Sequence, residues 1–255
     1  MLWGGGGGGT PAFYLNRSLK PLCRRRMQLA MLASVVAAVH MPVARTAAPI
    51  ASTVGQNMMR FCYKEIEVIT GEPTDGALVP AQAVTLHDIT PAVNELVRDS
   101  GVTEGTVHCV SRHTTTALTI NEMESRLQDD IRTWLLGLAP PDVRFPIPGW
   151  RHPEGATTPT YDHNDLHLRP ASEEDRERIN KNWMSQGKGT LEEFMAQEPI
   201  NAHSHLLSIL LGPCLSIPVT NGKLCIGQWQ SLILIDCDGP RKRTVGAQVV
   251  GISAK

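Results

Sequence analysis

The chain has 255 residues, 42% of them hydrophobic, with 24 basic and 25 acidic side chains. That is enough for a substantial buried core and excludes fibrous or compositionally disordered classes. Charge is uneven: residues 1–58 carry six basic side chains and no acidic one, leaving 18 basic against 25 acidic beyond them, and so acidic a body repels nucleic-acid phosphates, which excludes nucleic-acid binding.

Residues 1–58 read as a disordered leader. A glycine run from Gly4 to Gly9 cannot fold alone, because glycine loses the most backbone entropy on ordering. Arg24–Arg26 and the apolar stretch Met27 to Val39 follow. Arginine-rich, acid-free composition predicts a transit peptide for an organelle, chloroplast or mitochondrion. A secretory signal is the rival reading, and translation from Met58 or Met59, giving a cytoplasmic protein, is the third. The apolar stretch is too short to cross a bilayer, so no membrane span is expected.

Residues 59–255 are expected to form a single domain. From Phe61, FCYKEIEVIT alternates with period two and predicts a half-buried strand. Thr90 followed by Pro91 predicts a helix start, with Val93, Leu96 and Val97 facing inward and Gly101 as the stop. Gly105 to Ile120 is rich in β-branched residues and predicts a second strand region. Asn121 is the expected cap of an amphipathic helix, with Met123, Leu127, Ile131, Trp134, Leu135 and Leu138 on its apolar face. Residues 140–170 are proline-rich and carry His152, His163 and His167. Across 166–200, twelve of thirty-five residues are charged, which predicts a solvated helical insertion with starts at Ser172 and Thr190.

Asn201 opens a short helix stopped at Gly212-Pro213. Ser216 to Val219 predicts a strand near a sheet edge, because Pro218 cannot donate to a ladder. Asn221-Gly222 is a two-residue hairpin signal. Lys223 to Asp236 reads as one long strand, Asp238-Gly239 as a turn, and Thr244 to Val250 as a returning strand. Trp229 is expected in the core, with Gln230 on the opposite side of that strand. Strands gathered at the C-terminus and helices from elsewhere predict an α+β fold. None of the six cysteines forms a C-x-x-C pair; Cys109, Cys225 and Cys237 fall in apolar runs and are expected as buried thiols.

Five landmarks occur in order: HTTTALTINE at His113 to Glu122, Tyr161-Asp162-His163, Ser204-His205, and GKLCIGQWQ at Gly222 to Gln230, after a strand entry at Phe61. This pattern resembles the YjbQ-like family, also described as secondary thiamine-phosphate synthases, over roughly Phe61 to Gly251. Two departures are visible: Gln228 stands where the family has threonine, and the 166–200 insertion lengthens the path to Ser204-His205. The resemblance implies an antiparallel β-sandwich with flanking helices, assembled as a homotrimer. It also implies a transferase that joins a pyrimidine pyrophosphate to a thiazole phosphate, giving thiamine phosphate and pyrophosphate.

Stabilising a leaving pyrophosphate calls for a metal, basic side chains and hydroxyl donors. The chain offers no Walker loop, but it offers His113 with Thr114, Thr115 and Thr116, and the basic cluster Arg241, Lys242 and Arg243. With the family landmarks, His113, His163 and His205 are expected to share one pocket, with Glu122 as either a general base or a first-turn carboxylate. Thr114, Thr115, Gln230 and Arg241 are the candidate substrate-binding residues. His163, His203 and His205 are candidate ligands for a divalent metal, Mg or Zn, although His203 and His205 share a site only if the helix starts after them. Two classes stand at this point: a transferase acting on a small phosphorylated metabolite, and a noncatalytic metabolite- or metal-binding trimer.

Overall fold

Antiparallel pairing organises the chain into two sheets. The computed structural model describes residues 58–71, 84–147, 150–155 and 159–253. All lie in the compact unit Val54–Lys255; residues 1–57, nearly all of the leader, lie outside the described residues.

The larger sheet has the order β1-β8-β3-β5-β6 and the smaller one β2-β7-β4. The strands are β1 (Met58–Ile69), β2 (Thr85–Asp88), β3 (Glu104–Ser111), β4 (Thr116–Asn121), β5 (Cys214–Thr220), β6 (Lys223–Leu224), β7 (Ser231–Asp236) and β8 (Lys242–Ser253). β1 pairs with β8 along its whole length, from Met58 opposite Ser253 to Ile69 opposite Lys242. The helices are α1 (Thr90–Ser100), α2 (Ser125–Leu138), α3 (Glu173–Asn182), α4 (Leu191–Ala196) and α5 (Ala202–Leu211).

β7 shows how the layers stack. Its alternate residues are buried on both sides: Leu232 and Leu234 join a core with Val107 of β3, Ile217 of β5, Val245 and Val249 of β8, and Val93 and Val97 of α1. Ile233 and Ile235 join the other core, with Leu135 and Leu136 of α2 and Leu207 of α5. The small sheet is therefore covered by the large sheet and α1 on one face and by α2 and α5 on the other. Its central strand reads as a continuous apolar run for that reason.

Several local expectations change. Lys223 to Asp236 is two strands in different sheets, because Gly227 to Gln230 closes a turn: Gln230 N–H donates to the Gly227 carbonyl at 3.0 Å and Gln230 Oε1 accepts from Gly227 N–H at 2.7 Å. Trp229, expected in the core, is 71% exposed beside that turn. Asn121 caps no helix, because β4 stays paired with β7 as far as Asn121 opposite Ser231. α2 begins after Glu124, whose carboxylate accepts from Arg126 and Leu127 N–H. Of that helix, Leu135 and Leu136 are buried, whereas Trp134 and Leu138 are exposed. Thr90 is the first residue of α1, and its hydroxyl is turned to Leu232 N–H at 2.8 Å. Cys109 and Cys237 are buried thiols, but Cys225 is exposed, since it sits in the crossing segment.

Candidate functional site

The β3–β4 connection and the β7–β8 connection meet at the same end of the sheets. Cys237 N–H donates to the Thr115 carbonyl at 3.0 Å and Arg112 N–H to the Thr244 carbonyl at 3.1 Å. Thr244 N–H donates to His113 Nε2 at 2.8 Å. That bond uses the ring's lone pair and leaves Nδ1–H as the free donor. Burial, and then the Arg243 charge, hold the His113 imidazole below its ordinary pKa, so it is neutral near pH 7.

Beneath it lies a buried ionic floor. Arg243 donates through Nε to Asp236 Oδ2 at 2.9 Å and through Nη2 to Oδ1 at 2.6 Å. Thr70 Oγ1 donates to Asp236 Oδ2 at 2.6 Å, and Asp238 N–H to Oδ1 at 2.9 Å. Burial alone would raise the Asp236 pKa, yet the Arg243 hydrogen bond and charge, aided by Thr70 and the Asp238 N–H, keep it lowered. Gly239 fits over this floor because a Cβ there would come within 2.7 Å of Asp236 Oδ2 and 2.9 Å of Thr70 Oγ1.

A second buried carboxylate positions the opposite wall. Asp142 accepts from Arg144 Nη2 at 2.7 Å, Tyr161 N–H at 3.0 Å and Asn164 Nδ2 at 3.1 Å. Chiefly through the Arg144 hydrogen bond, the Asp142 carboxyl is held well below the usual carboxylate range. Asn164 Oδ1 in turn accepts from Ala202 N–H, the first amide of α5, at 3.1 Å. This relay fixes Tyr161–Asn164 against the start of α5. His163 and His205 thereby meet edge to face, with ring centroids 5.0 Å apart. Burial first, then His163, lower the His205 pKa, while a hydrogen bond to the Thr114 backbone opposes them.

These walls enclose a cavity of about 710 Å³. His113, His163, His205, Thr114, Thr115 and Arg241 all line it, as do Arg112, Arg169, Arg178 and Arg243. The 166–200 insertion, read from sequence as a wet helical segment, supplies one side of it through Arg178, Asn182 and Phe194. Each arginine lining the cavity has a carboxylate partner: Arg112 with Glu65, Arg169 with Glu198 at 2.7 Å, Arg178 with Asp175, Arg241 with Asp238 at 3.4 Å, and Arg243 with Asp236. Even so, Arg169 Nη1 is buried with no acceptor among the described residues.

Other candidate residues fall elsewhere. Glu122 is exposed just beyond Asn121, past the far end of β4, about 20 Å of extended chain from Thr116; it cannot serve as a base here. Gln230 stands at the opposite end of β7 and spends its side chain on Gly227. Lys242 pairs on the surface with Glu67 at 2.6 Å. His203 is 2% exposed and lies two residues before His205 inside α5, which turns it to another face of the helix. Among the described residues no three His, Cys, Asp or Glu side chains are placed to hold a metal ion, so His163, His203 and His205 do not form a ligand set. Burial holds His203 down to about 4.

The sequence reading missed Asp142, Asn201, Asp236 and Asp238. A signal existed for two of them: Asp236 and Asp238 directly follow an apolar run buried on both faces, where a carboxylate needs partners.

The family model described as UPF0047 protein YjbQ-like matches residues 77–252. The chain belongs to the YjbQ-like family. Relatives include a UPF0047 protein of Methanothermobacter thermautotrophicus, 31% identical over 190 residues, covering 74% of this chain and 97% of the relative. A second, from Archaeoglobus fulgidus, is 29% identical, over 66% of this chain and 93% of its own length. The crystal structure of a YbjQ-like protein of unknown function from Sulfolobus solfataricus is 25% identical, covers 76% of this chain and 99% of that one, and has a TM-score of 0.49. The YjbQ-like match spans every residue that lines the cavity. Among the described residues, no helix is long and apolar enough to cross a membrane.

Proposed function

We propose that the cavity binds a small phosphorylated metabolite. The observation that carries this reading is Arg169 Nη1, a buried guanidinium N–H with no acceptor, in a wall shared with four other arginines, three imidazoles and the Thr114 and Thr115 hydroxyls. Guanidinium forks match phosphate oxygens in geometry and charge. The His113 and His205 imidazoles, whose pKa values burial lowers, add donors without adding charge. Each carboxylate now paired with an arginine holds it in position until an anion arrives.

Two uses of such a site fit the family. In the simpler one, the protein holds its ligand without turnover, as a noncatalytic binding protein. In the other, the site performs a thiamine-phosphate-synthase-like transfer. The thiazole nitrogen attacks the methylene carbon of the pyrimidine pyrophosphate, the C–O bond breaks, and the electron pair leaves with pyrophosphate. Arginine and threonine donors would stabilise the charge developing on that group. A divalent ion would enter bound to pyrophosphate oxygens, as Mg²⁺ commonly does. Assembly as a homotrimer of β-sandwich protomers and delivery to an organelle complete the proposal; light scattering and imaging of the tagged full chain test those two parts.

Calorimetric titration of the full chain with pyrophosphate, with and without Mg²⁺, tests the binding reading. Saturable binding in the micromolar range that weakens tenfold or more in Arg169→Ala supports it, and no heat in either condition rejects it. Incubation with both thiamine precursors then separates transfer from holding: thiamine phosphate forms only in the first.

A further inference from the structure

Asn201 and Asp238 are 4% and 3% exposed, and both line the main cavity. Asn201 Nδ2 donates to Asp238 Oδ2 at 2.7 Å, and Arg241 Nη2 approaches that same oxygen at 3.4 Å. The other oxygen of each side chain, Asn201 Oδ1 and Asp238 Oδ1, is buried with no donor among the described residues. Two orphaned acceptors on neighbouring side chains are costly, because each has given up water for nothing.

Local structure offered one of them an outlet that it does not take. Asn201 is the N-cap of α5, where an asparagine oxygen ordinarily accepts from an amide of the first turn. Here no side-chain cap bond forms, and Asn164 Oδ1 takes the first amide instead. The Asn201 oxygen is thus kept free beside Asp238 while a second asparagine caps the helix. Asp238 also borders a second cavity of about 500 Å³, which shares Glu198, Pro199 and Arg241 with the first. Asp238 stands where the two cavities meet, with Asn201 on the side of the first.

We propose that Asn201 and Asp238 form a donor-recognising subsite, which binds a hydroxyl or amino group carried by the metabolite whose phosphate the arginines hold. This deepens the phosphate reading and rests on it for the identity of the other half of the ligand. Arg169 Nη1 seeks an acceptor and the Asn201–Asp238 pair seeks donors, so a ligand with both chemistries completes the site. Burial raises the Asp238 pKa despite the nearby arginines. Its present partners therefore undersupply the ionised carboxylate, and an ammonium or hydroxyl proton would make good that deficit.

The test compares ethyl phosphate, which has no terminal donor, with 2-hydroxyethyl and 2-aminoethyl phosphate, by calorimetry on the full chain. Wild type should bind the 2-aminoethyl or the 2-hydroxyethyl compound at least tenfold more tightly than ethyl phosphate. In Asp238→Asn and in Asn201→Leu that ratio should fall to within twofold. Asp238→Asn also puts a side-chain N–H beside Asn201, so its Tm should equal or exceed that of wild type. A second arm uses ethanolamine alone: millimolar ethanolamine should shift the Asn201 side-chain amide resonance in wild type and leave Asp238→Asn unmoved. If no phosphate compound binds while ethanolamine still shifts that resonance, the phosphate reading fails and the donor subsite stands. Equal affinity for all three phosphates in wild type, or silence in the ethanolamine arm, overturns the subsite.

Discussion

The floor and the outer wall of the cavity are built on opposite physical plans. At the floor, Asp236 and Arg243 are 0% and 4% exposed, and each Asp236 oxygen accepts more than one hydrogen bond. In the wall made by residues 166–200, α3 has no buried residue. Its helix starts are held by Ser172, which accepts from Asp175 N–H, and by the Thr190–Glu193 capping box. Its own apolar contact is Trp183 against Phe194, edge to face at 5.6 Å. Saturated buried bonds fix a group to within its rotamer, whereas exposed pairs and caps leave local opening cheap. One cavity therefore has a rigid base and a softer side.

The largest effect that can break this contrast is at the floor. Asp236→Ala leaves Arg243 buried and unpaired and should cost about 3–5 kcal/mol in urea unfolding. Joining it with Arg243→Leu should recover part of that loss, since the stranded charge is gone. A single variant within about 1 kcal/mol of wild type would mean that the floor is not rigidly paired.

Acid sharpens the contrast next. His203 titrates near 4 in the fold against an ordinary 6.5, because burial, and then the neighbouring His205, disfavour the imidazolium. Its folded pKa lies below its unfolded one, so its contribution is full above pH 6.5 and is lost as pH falls toward 4. The loss amounts to about 3 kcal/mol, and His203→Gln should flatten it in melts across that window. Asp236 and Asp142 also sit below the ordinary carboxylate value, so their share is full above about pH 4 and lost only below it. A His203→Gln melt that still drops between pH 6.5 and 4 would assign that acid sensitivity elsewhere.

The wall should respond weakly. Trp183→Ala is expected to speed amide exchange within residues 166–200 while lowering global stability by less than about 1 kcal/mol. Arg178→Ala should change stability by no more than about 0.5 kcal/mol, because its pair with Asp175 is surface-exposed. The same variant should weaken pyrophosphate binding several-fold. A cooperative loss of the whole fold in either variant would show that wall and floor melt as one unit.

How much of this was legible in sequence depended on whether the signal was local. Asn221-Gly222 read as a hairpin, and both residues have positive φ, 52° and 70°. Ser172 and Thr190 marked true helix starts, because caps act within one turn. The break inside Lys223–Asp236 was hidden, since alternation runs through it and the turn is closed by a side-chain bond from Gln230. Glu122 shared a motif with His113, but six paired residues of β4 separate the ends of that motif in space. His113, His163 and His205 were found only because a family pattern joined them; no period or spacing brings three distant segments to one cavity. Asp238 read as a turn residue, and its burial depends on Asn201 at the start of α5, 37 residues away in sequence.

The position of β8 sets an order of events during synthesis. β8 ends at Ser253, yet it lies between β1 and β3 in the large sheet, pairing with β1 along Met58–Ile69 and with β3 along Glu104–Ser111. On the ribosome, β1 and β3 emerge first and wait for a shared partner that is made only after β4 to β7. Such long-range closure slows folding and keeps strand edges open. The outer face of β1 mixes Glu65 and Glu67 with exposed Phe61, Tyr63 and Ile69, so an edge left open in that interval offers apolar side chains to any other chain that pairs with it first.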